Sequence, residues 1–130
     1  MTASKRVLKV NRRMTDELPE SIEVSLQSLA ELAVECWRLE RWAGDASESA
    51  PRARHVARRM KSFLGAHGLE VLDVTGRAYE PGLAVEVLDA YADASLPAGA
   101  RVIDETVSPI VLWRGSVVRH GQVVIKTSND

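Results

Sequence analysis

The chain has 130 residues and a mass of 14.3 kDa, with 45% hydrophobic and 27% charged residues and a formal net charge of −1. This composition is typical of a folded globular chain and excludes disorder as the main state. No apolar run reaches the roughly 18 residues that a membrane-spanning helix needs, so we expect no membrane partner. The single cysteine, Cys36, excludes an internal disulfide and multi-cysteine metal sites, and we expect a cytoplasmic protein.

The beginning of the chain is rich in basic side chains, with Lys5, Arg6, Lys9, Arg12 and Arg13 close together. Runs of like charge are usually solvated, although some bind partners of opposite charge. We therefore expect residues 1–15 to form a flexible basic leader. Electrostatic tethering to an acidic partner is the alternative, and no residue decides between the two.

Residues 16–44 are predicted to form one long amphipathic helix. Asp16 and Glu17 suit the positive N-terminal end of a helix, and Gly44 is a common terminating residue. Apolar residues recur at three- and four-residue steps, which places them on one face. A helix of this length would extend roughly 42 Å. Because one small domain does not cover that length, we expect a second copy of the chain to cover the rest.

A second helix is predicted to begin near Ser49 and Pro51, which suit an N-cap and a first turn, and to stop at Gly68. The short connection favours an antiparallel helix hairpin over residues 16–67. Two copies would form a four-helix bundle with an adequate core, which predicts a homodimer. The expected dimer interface consists of Ile22, Leu29, Leu32, Cys36, Leu39, Val56, Met60 and Phe63.

From residue 68 onwards the pattern changes to short β-branched runs separated by Gly and Pro. Such runs predict a small, mostly antiparallel β domain over residues 68–130, with a tight hairpin turn at Arg114-Gly115. The predicted fold class is therefore α+β, a helix hairpin followed by a β domain. The predicted strands are 69–74, 85–90, 100–107, 110–113, 116–119 and 123–127.

Residue types that carry catalysis are scattered along the chain. The three histidines lack metal-ligand spacing relative to one another and to Cys36. Cys36 lies on the apolar stripe of the first helix, which favours packing over a nucleophilic role. Asp104 and Glu105 are adjacent, and adjacent strand residues point to opposite faces. We therefore expect no enzymatic activity, no metal and no cofactor.

Trp113 directly precedes the predicted hairpin turn, which makes its role ambiguous. Its side chain could pack in the core of the β domain. It could instead lie on an exposed face and anchor a partner, since Trp and Arg are enriched at interface hot spots. The same choice applies to Arg114 and Arg119, which are either solvated hairpin residues or interface anchors.

Several segments from the second helix onwards match the motifs of one known family. Residues 60–72 are similar to the end of that family's helix and its first strand. Residues 79–86 resemble its aromatic-Asp-Pro segment, and residues 96–99 resemble the Pro-Gly turn that follows. Gly115 matches the glycine of the family's Asn-Gly turn, and Arg119 matches the arginine near its last strand. By these motifs the sequence resembles the GrpE family, the nucleotide exchange factors of DnaK-type chaperones.

Some residues of the family pattern are replaced. The histidine after the aromatic-Asp-Pro motif is Ala84, and the arginine directly after the Asn-Gly turn is Ser116. The resemblance spans roughly residues 16–127 and is specific from about residue 58. We therefore expect a divergent member that lacks the family's long N-terminal stalk.

The resemblance implies a non-covalent function. The β domain would dock on the ATPase domain of a DnaK-type chaperone, favour its open nucleotide cleft and promote release of ADP. Such a co-chaperone needs no catalytic group. The residues expected to contact the chaperone are Val107, Trp113, Arg114, Gly115, Arg119 and Ile125.

Two alternatives belong to other functional classes. The first is a dimeric interaction module with the GrpE fold that has lost exchange activity and recognises a different protein. The second is a nucleic-acid-binding domain, which the charge pattern disfavours. Residues 67–130 carry five basic and nine acidic side chains, and that excess of negative charge repels phosphate.

Overall fold

The computed structural model describes residues 18–45 and 51–129. The predicted leader over residues 1–15 lies outside these ranges, as do Asp16, Glu17 and Ser49. The fold is α+β, as predicted. Its elements are α1 (Leu26–Asp45), α2 (Pro51–Ala66), β1 (Leu69–Leu72), β2 (Val85–Ala92), β3 (Arg101–Ser108), β4 (Ile110–Trp113), β5 (Ser116–Arg119) and β6 (Gly121–Thr127).

The first helix is shorter than the sequence pattern predicts, because residues 18–25 are not helical. Ser25 caps the helix that does form, since its Oγ accepts a hydrogen bond from the backbone N–H of Ser28 at 3.0 Å. Pro19 also disfavours helical geometry in the residue before it. The prediction of one continuous helix is therefore wrong for this segment.

The second helix begins at Pro51, as predicted, and ends just before Gly68. Gly68 has a φ of 89°, in the left-handed region that glycine adopts at helix ends. α1 and α2 pack against each other around Ala33, Cys36 and Leu64, which are all buried. The two helices therefore share an apolar core within one chain.

The six strands form two sheets of three. In the first sheet the order is β1-β4-β5 and both pairings are antiparallel. In the second the order is β2-β6-β3, with β6 antiparallel to β3 and parallel to β2. The parallel pair is the exception to the predicted antiparallel arrangement. The turn between β4 and β5 has φ angles of 48° at Arg114 and 84° at Gly115, which is typical of a two-residue hairpin.

The first sheet lies between the helices and the second sheet, and we call it the middle sheet and the other one the outer sheet. Alternate residues of its central strand face opposite ways: Val111 packs with the helices, whereas Ile110 packs with the outer sheet. Ile103 and Val123 supply the facing core of the outer sheet, and both are fully buried. Residues 18–45 and 51–129 therefore form two apolar cores, one on each face of the middle sheet.

Candidate protein-interaction surfaces

The β4–β5 turn presents an exposed guanidinium group on a fixed aromatic ring. Trp113 is half-buried, and its Nε1 donates a hydrogen bond to the carbonyl oxygen of His67 at 3.2 Å. The guanidinium carbon of Arg114 lies 4.5 Å from the centre of the Trp113 ring, within cation–π range. We call Trp113, Arg114 and Gly115 the hairpin tip.

The hairpin tip is packed against the junction of α2 and β1. A Cβ atom at Gly68 would lie 3.0 Å from Cγ of Arg114 and 3.2 Å from Nε1 of Trp113. The positive φ of Arg114 is unusual for a residue other than glycine and costs about 1 kcal/mol or more. Glycine at position 68 therefore permits the close approach that places Arg114 on the surface.

The other predicted partner contacts do not gather at the tip. Arg119 lies against α1 and lines a surface pocket with Glu31 and Glu35. Val107 belongs to the outer sheet and is half-buried. Ile125 is only 6% exposed and belongs to the core between the two sheets. With so little exposure, the Ile125 side chain offers almost no surface to a partner in this chain, and its role as a contact stays a prediction.

The second surface is apolar and is formed by the two helices on the side away from the middle sheet. Leu32 on α1 and Val56 and Phe63 on α2 are 42%, 49% and 60% exposed, and they line one groove with the half-buried Met60. We call Leu32, Val56, Met60 and Phe63 the apolar seam. All four were predicted to lie in a dimer interface.

The remaining predicted interface residues have other environments. Cys36 is 5% exposed and packs in the core that its own chain forms. Leu29 and Leu39 are half-buried on α1. Ile22 is 77% exposed and lies in the non-helical segment before α1, so its predicted place on a helical face is wrong.

The two helices carry opposite charge. α1 has four acidic and two basic residues, whereas α2 has five basic residues and no acidic one. Glu31 and Glu35 of α1 are exposed near one side of the apolar seam, and Arg59 of α2 contributes to the lining of its groove. A basic helix and an acidic helix therefore flank the same apolar surface.

A polar network that no sequence pattern signalled joins α1 to the outer sheet. Nη1 of Arg41 donates a hydrogen bond to the carbonyl oxygen of Thr106 at 2.7 Å. The Oγ1 atoms of Thr75 and Thr106 lie 2.9 Å apart, and Thr75 also donates to the carboxylate of Asp73 at 2.8 Å. Arg41 and Thr106 are 65 positions apart, so sequence spacing gave no indication of the contact.

Asp73 and Cys36 are two of the titratable groups whose pKa values are shifted. Burial favours a higher pKa for Asp73, but hydrogen bonds from Thr75 and Thr106 and the charge of Arg41 outweigh it and lower the pKa below its usual value. Burial, followed by the nearby Glu35 charge, raises the pKa of the Cys36 thiol. The raised pKa disfavours a reactive thiolate at Cys36.

The described residues hold no group of three or more His, Cys, Asp or Glu side chains that could bind a metal ion. Neither α1 nor α2 is long and apolar enough to cross a membrane. No known protein family has a model that matches the sequence, and no curated protein is significantly similar to it.

Proposed function

We propose that this protein is a GrpE-like nucleotide exchange factor that acts as a homodimer on a DnaK-type chaperone ATPase. The proposal rests on the resemblance of residues 58–127 to that family and on one structural observation. The hairpin tip presents Arg114 in an exposed, strained and packed position next to Trp113. Trp and Arg dominate the binding energy of many protein interfaces, and a fixed ring reduces the entropy lost on binding.

The mechanism is a shift of population in the partner. A protein that binds the open, nucleotide-poor state of an ATPase better than the closed state speeds release of ADP. By thermodynamic linkage, ADP weakens the binding of the exchange factor by the same factor. No acid, base or cofactor of this chain takes part.

The dimer is supported by the apolar seam and by the charge of its borders. In a two-fold pairing, the acidic α1 of one copy can lie against the basic α2 of the other, which makes the surface self-complementary. Leu32, Val56 and Phe63 would then lose their exposure to water. A dimer would present two β domains.

The test is release of a fluorescent ADP analogue from a DnaK-type ATPase in the presence of this protein. We expect acceleration by the wild type and loss of it in Arg114→Ala. Truncation of an interface hot spot costs ~2 kcal/mol or more, which is about thirtyfold in affinity. Arg77→Ala is the matched control, because Arg77 is an exposed arginine of the β half outside the tip.

The variant Arg119→Ala distinguishes the contribution of Arg119 to binding from that of Arg114. Arg119 lies against α1 rather than at the tip, so we expect a smaller loss than for Arg114→Ala. Equal acceleration by the wild type and all variants would show that the tip is not the contact surface.

An interaction module without exchange activity is the second candidate. It is favoured by Ser116, which is exposed at the position where the family has an arginine, and by the burial of Ile125. Under that proposal neither the wild type nor any variant accelerates release of ADP. The wild type would still bind its own protein partner in a pull-down assay, and Arg114→Ala would weaken that binding.

A further inference from the structure

The β1 edge of the middle sheet has backbone groups that no other described strand uses. Arg114 N donates to the carbonyl oxygen of Gly68 at 2.8 Å, which fixes the alternation of hydrogen bonds between β1 and β4. The backbone N–H and C=O groups of Leu69 and Val71 consequently point away from β4. Within residues 18–45 and 51–129, β1 pairs with β4 alone. These groups are therefore available to one more strand.

The other edges of the two sheets are covered or interrupted. The carbonyl oxygen of Val118 on β5 accepts a hydrogen bond from Nε2 of Gln27 at 3.2 Å. β2 has a bulge, and the N–H of Ala90 donates to the carboxylate of Asp89 at 2.9 Å. Residues 76–79 form backbone hydrogen bonds with β3. Proteins commonly protect their edges in such ways, because an open edge pairs with other chains. In the described part of the chain, β1 is the edge without this protection.

A cavity adjoins the open edge and lies between β1 and the two helices. Its volume is about 260 Å³, which is a large space in an interior that is otherwise closely packed. A strand added beside β1 would direct alternate side chains to the helix-facing side of the sheet, where the cavity lies. The apolar side chains that line the cavity are Ala33, Cys36, Trp37, Leu64, Leu69 and Val71.

A glycine in α2 keeps one wall of the cavity open. Gly65 lines the cavity in the last turn of α2, and a Cβ atom added there would meet no neighbouring atom within 4 Å. Glycine is a poorer helix former than alanine, so the helix itself gains nothing from it. The missing side chain leaves the space beside β1 free.

Three charged residues also line the cavity, and two of them offset each other. Nζ of Lys61 on α2 lies 3.7 Å from Oε1 of Glu40 on α1. The third, Glu70, is exposed and forms no ion pair within the described residues. Because Glu70 lies between Leu69 and Val71, its side chain points to the opposite face of β1. The edge therefore has one uncompensated negative charge between two apolar positions.

We propose that the β1 edge binds an extended segment of another protein with the pattern apolar, basic, apolar. The segment adds to β1 as an antiparallel strand, and its two apolar side chains occupy the cavity. Its basic residue lies opposite Glu70 in a non-hydrogen-bonded pair, the position where cross-strand side chains come closest. The β1 strand of a second copy fits less well, because like charges directly opposite each other repel. The inference does not depend on exchange activity.

A synthetic peptide, acetyl-Thr-Val-Lys-Val-Thr-amide, tests the proposal on the full-length protein. Hydrogen exchange is followed residue by residue by NMR, and a chemical-shift titration measures the affinity. Without peptide, we expect faster exchange at the amides of Leu69 and Val71 than at those of Glu70 and Leu72, which point to β4. Saturating peptide should slow exchange at Leu69 and Val71 at least about tenfold.

Two glycine variants test whether the cavity takes part. Gly65→Leu should abolish binding of the peptide, because the new side chain fills the cavity. Gly44→Leu is the matched control, because a Cβ atom at this helical glycine also meets nothing within 4 Å, and Gly44 does not line the cavity. It should leave the affinity unchanged. Circular dichroism checks that both variants are folded.

A charge exchange tests the contact with Glu70. The peptide with glutamate in place of lysine should bind the wild type about fivefold more weakly or worse, and Glu70→Lys should reverse the order of the two peptides. Absence of binding, equal affinity for both peptides, or binding without slower exchange at Leu69 and Val71 would overturn the proposal. Slow exchange at these amides without peptide would also overturn it, because the edge would then belong to this chain or, if the rates depend on protein concentration, to a second copy.

Discussion

The helical and β halves of the chain differ in how they use apolar side chains. In the β half, Ile103, Val123 and Ile125 are enclosed between two sheets. In the helical half, Leu64 is buried against the middle sheet, yet Phe63, the next residue before it, is 60% exposed. The β half also exposes Leu88 and Tyr91 on β2 of the outer sheet and Val117 on β5 of the middle sheet, so these three side chains do not form one surface.

The comparison indicates that the β half is complete within one chain, whereas the helical half is apolar on two sides. The inner side of α2 meets the middle sheet, and the outer side meets nothing within the described residues. A contiguous apolar surface flanked by opposite charges is typical of an interface. The following predictions test whether the two halves are as different as their surfaces suggest.

The largest effect should come from a charge in the apolar seam. Phe63→Asp should convert the proposed dimer to a folded monomer, because the carboxylate would be buried without a partner in that dimer but solvated in the monomer. We expect the dimer dissociation constant to rise at least about a hundredfold, roughly 2.8 kcal/mol. Analytical ultracentrifugation measures the constant, and circular dichroism checks the fold.

Val117→Asp is the matched control for Phe63→Asp, because Val117 is 46% exposed on β5 and lies outside the seam. It should leave the dimer intact. If the wild type sediments as a folded monomer at micromolar concentration, the proposed dimer is wrong and the exposed helical surface has another partner.

Much of the β half could be predicted because its signals are local. Every observed strand begins and ends within two residues of its predicted position. The breaks at Gly76, Gly99 and Gly115 coincide with positive φ angles, which glycine adopts without a steric penalty. The Arg114-Gly115 turn was predicted for the same reason.

The wrong predictions have two causes: local signals that compete at the start of α1, and contacts between residues that are far apart in the sequence. Apolar periodicity over residues 18–25 suggested a helix, but Pro19 and the Ser25 cap favour a later start. The parallel pairing of β2 with β6 joins strands far apart in the sequence, and no local pattern specifies it. The packing of Trp113 on Gly68 likewise depends on the tertiary fold.

A smaller effect on stability should follow from removing the contact that Arg41 makes between the helical half and the β half. Arg41→Ala removes the hydrogen bond to Thr106 and the contact of the guanidinium with the Trp37 ring, at 5.2 Å. Because the Arg41 side chain is 44% exposed, we expect a loss of about 1 kcal/mol in the free energy of unfolding. Urea denaturation measures it.

The control for Arg41 is Arg38→Ala on the same helix. Arg38 forms a surface ion pair with Glu35 three residues away, and such pairs contribute about 0.5 kcal/mol or less. Equal losses for the two variants would show that Arg41 does not join α1 to the outer sheet in any energetically distinct way.

The smallest effect should be a pH dependence from Asp73, near the same junction. Its pKa is lowered in the folded protein, so ionised Asp73 stabilises the fold above the usual pKa of an aspartate, about 3.9. That contribution is lost as the pH falls through the lowered folded pKa. Asp73→Asn keeps an oxygen that can accept the hydrogen bonds from Thr75 but removes the charge.

We therefore expect Asp73→Asn to be less stable than the wild type by under about 1 kcal/mol from neutral pH to roughly pH 5, since solvent screens an exposed carboxylate. The difference should shrink below about pH 4, where Asp73 of the unfolded chain begins to bind protons, and its charge-dependent part should be lost as the pH falls through the lowered pKa of the folded state. Urea denaturation at a series of pH values measures both proteins. A difference that stays constant down to pH 2 would show that the Asp73 side chain acts through shape and hydrogen bonds, and that charge contributes nothing at the junction of the two halves.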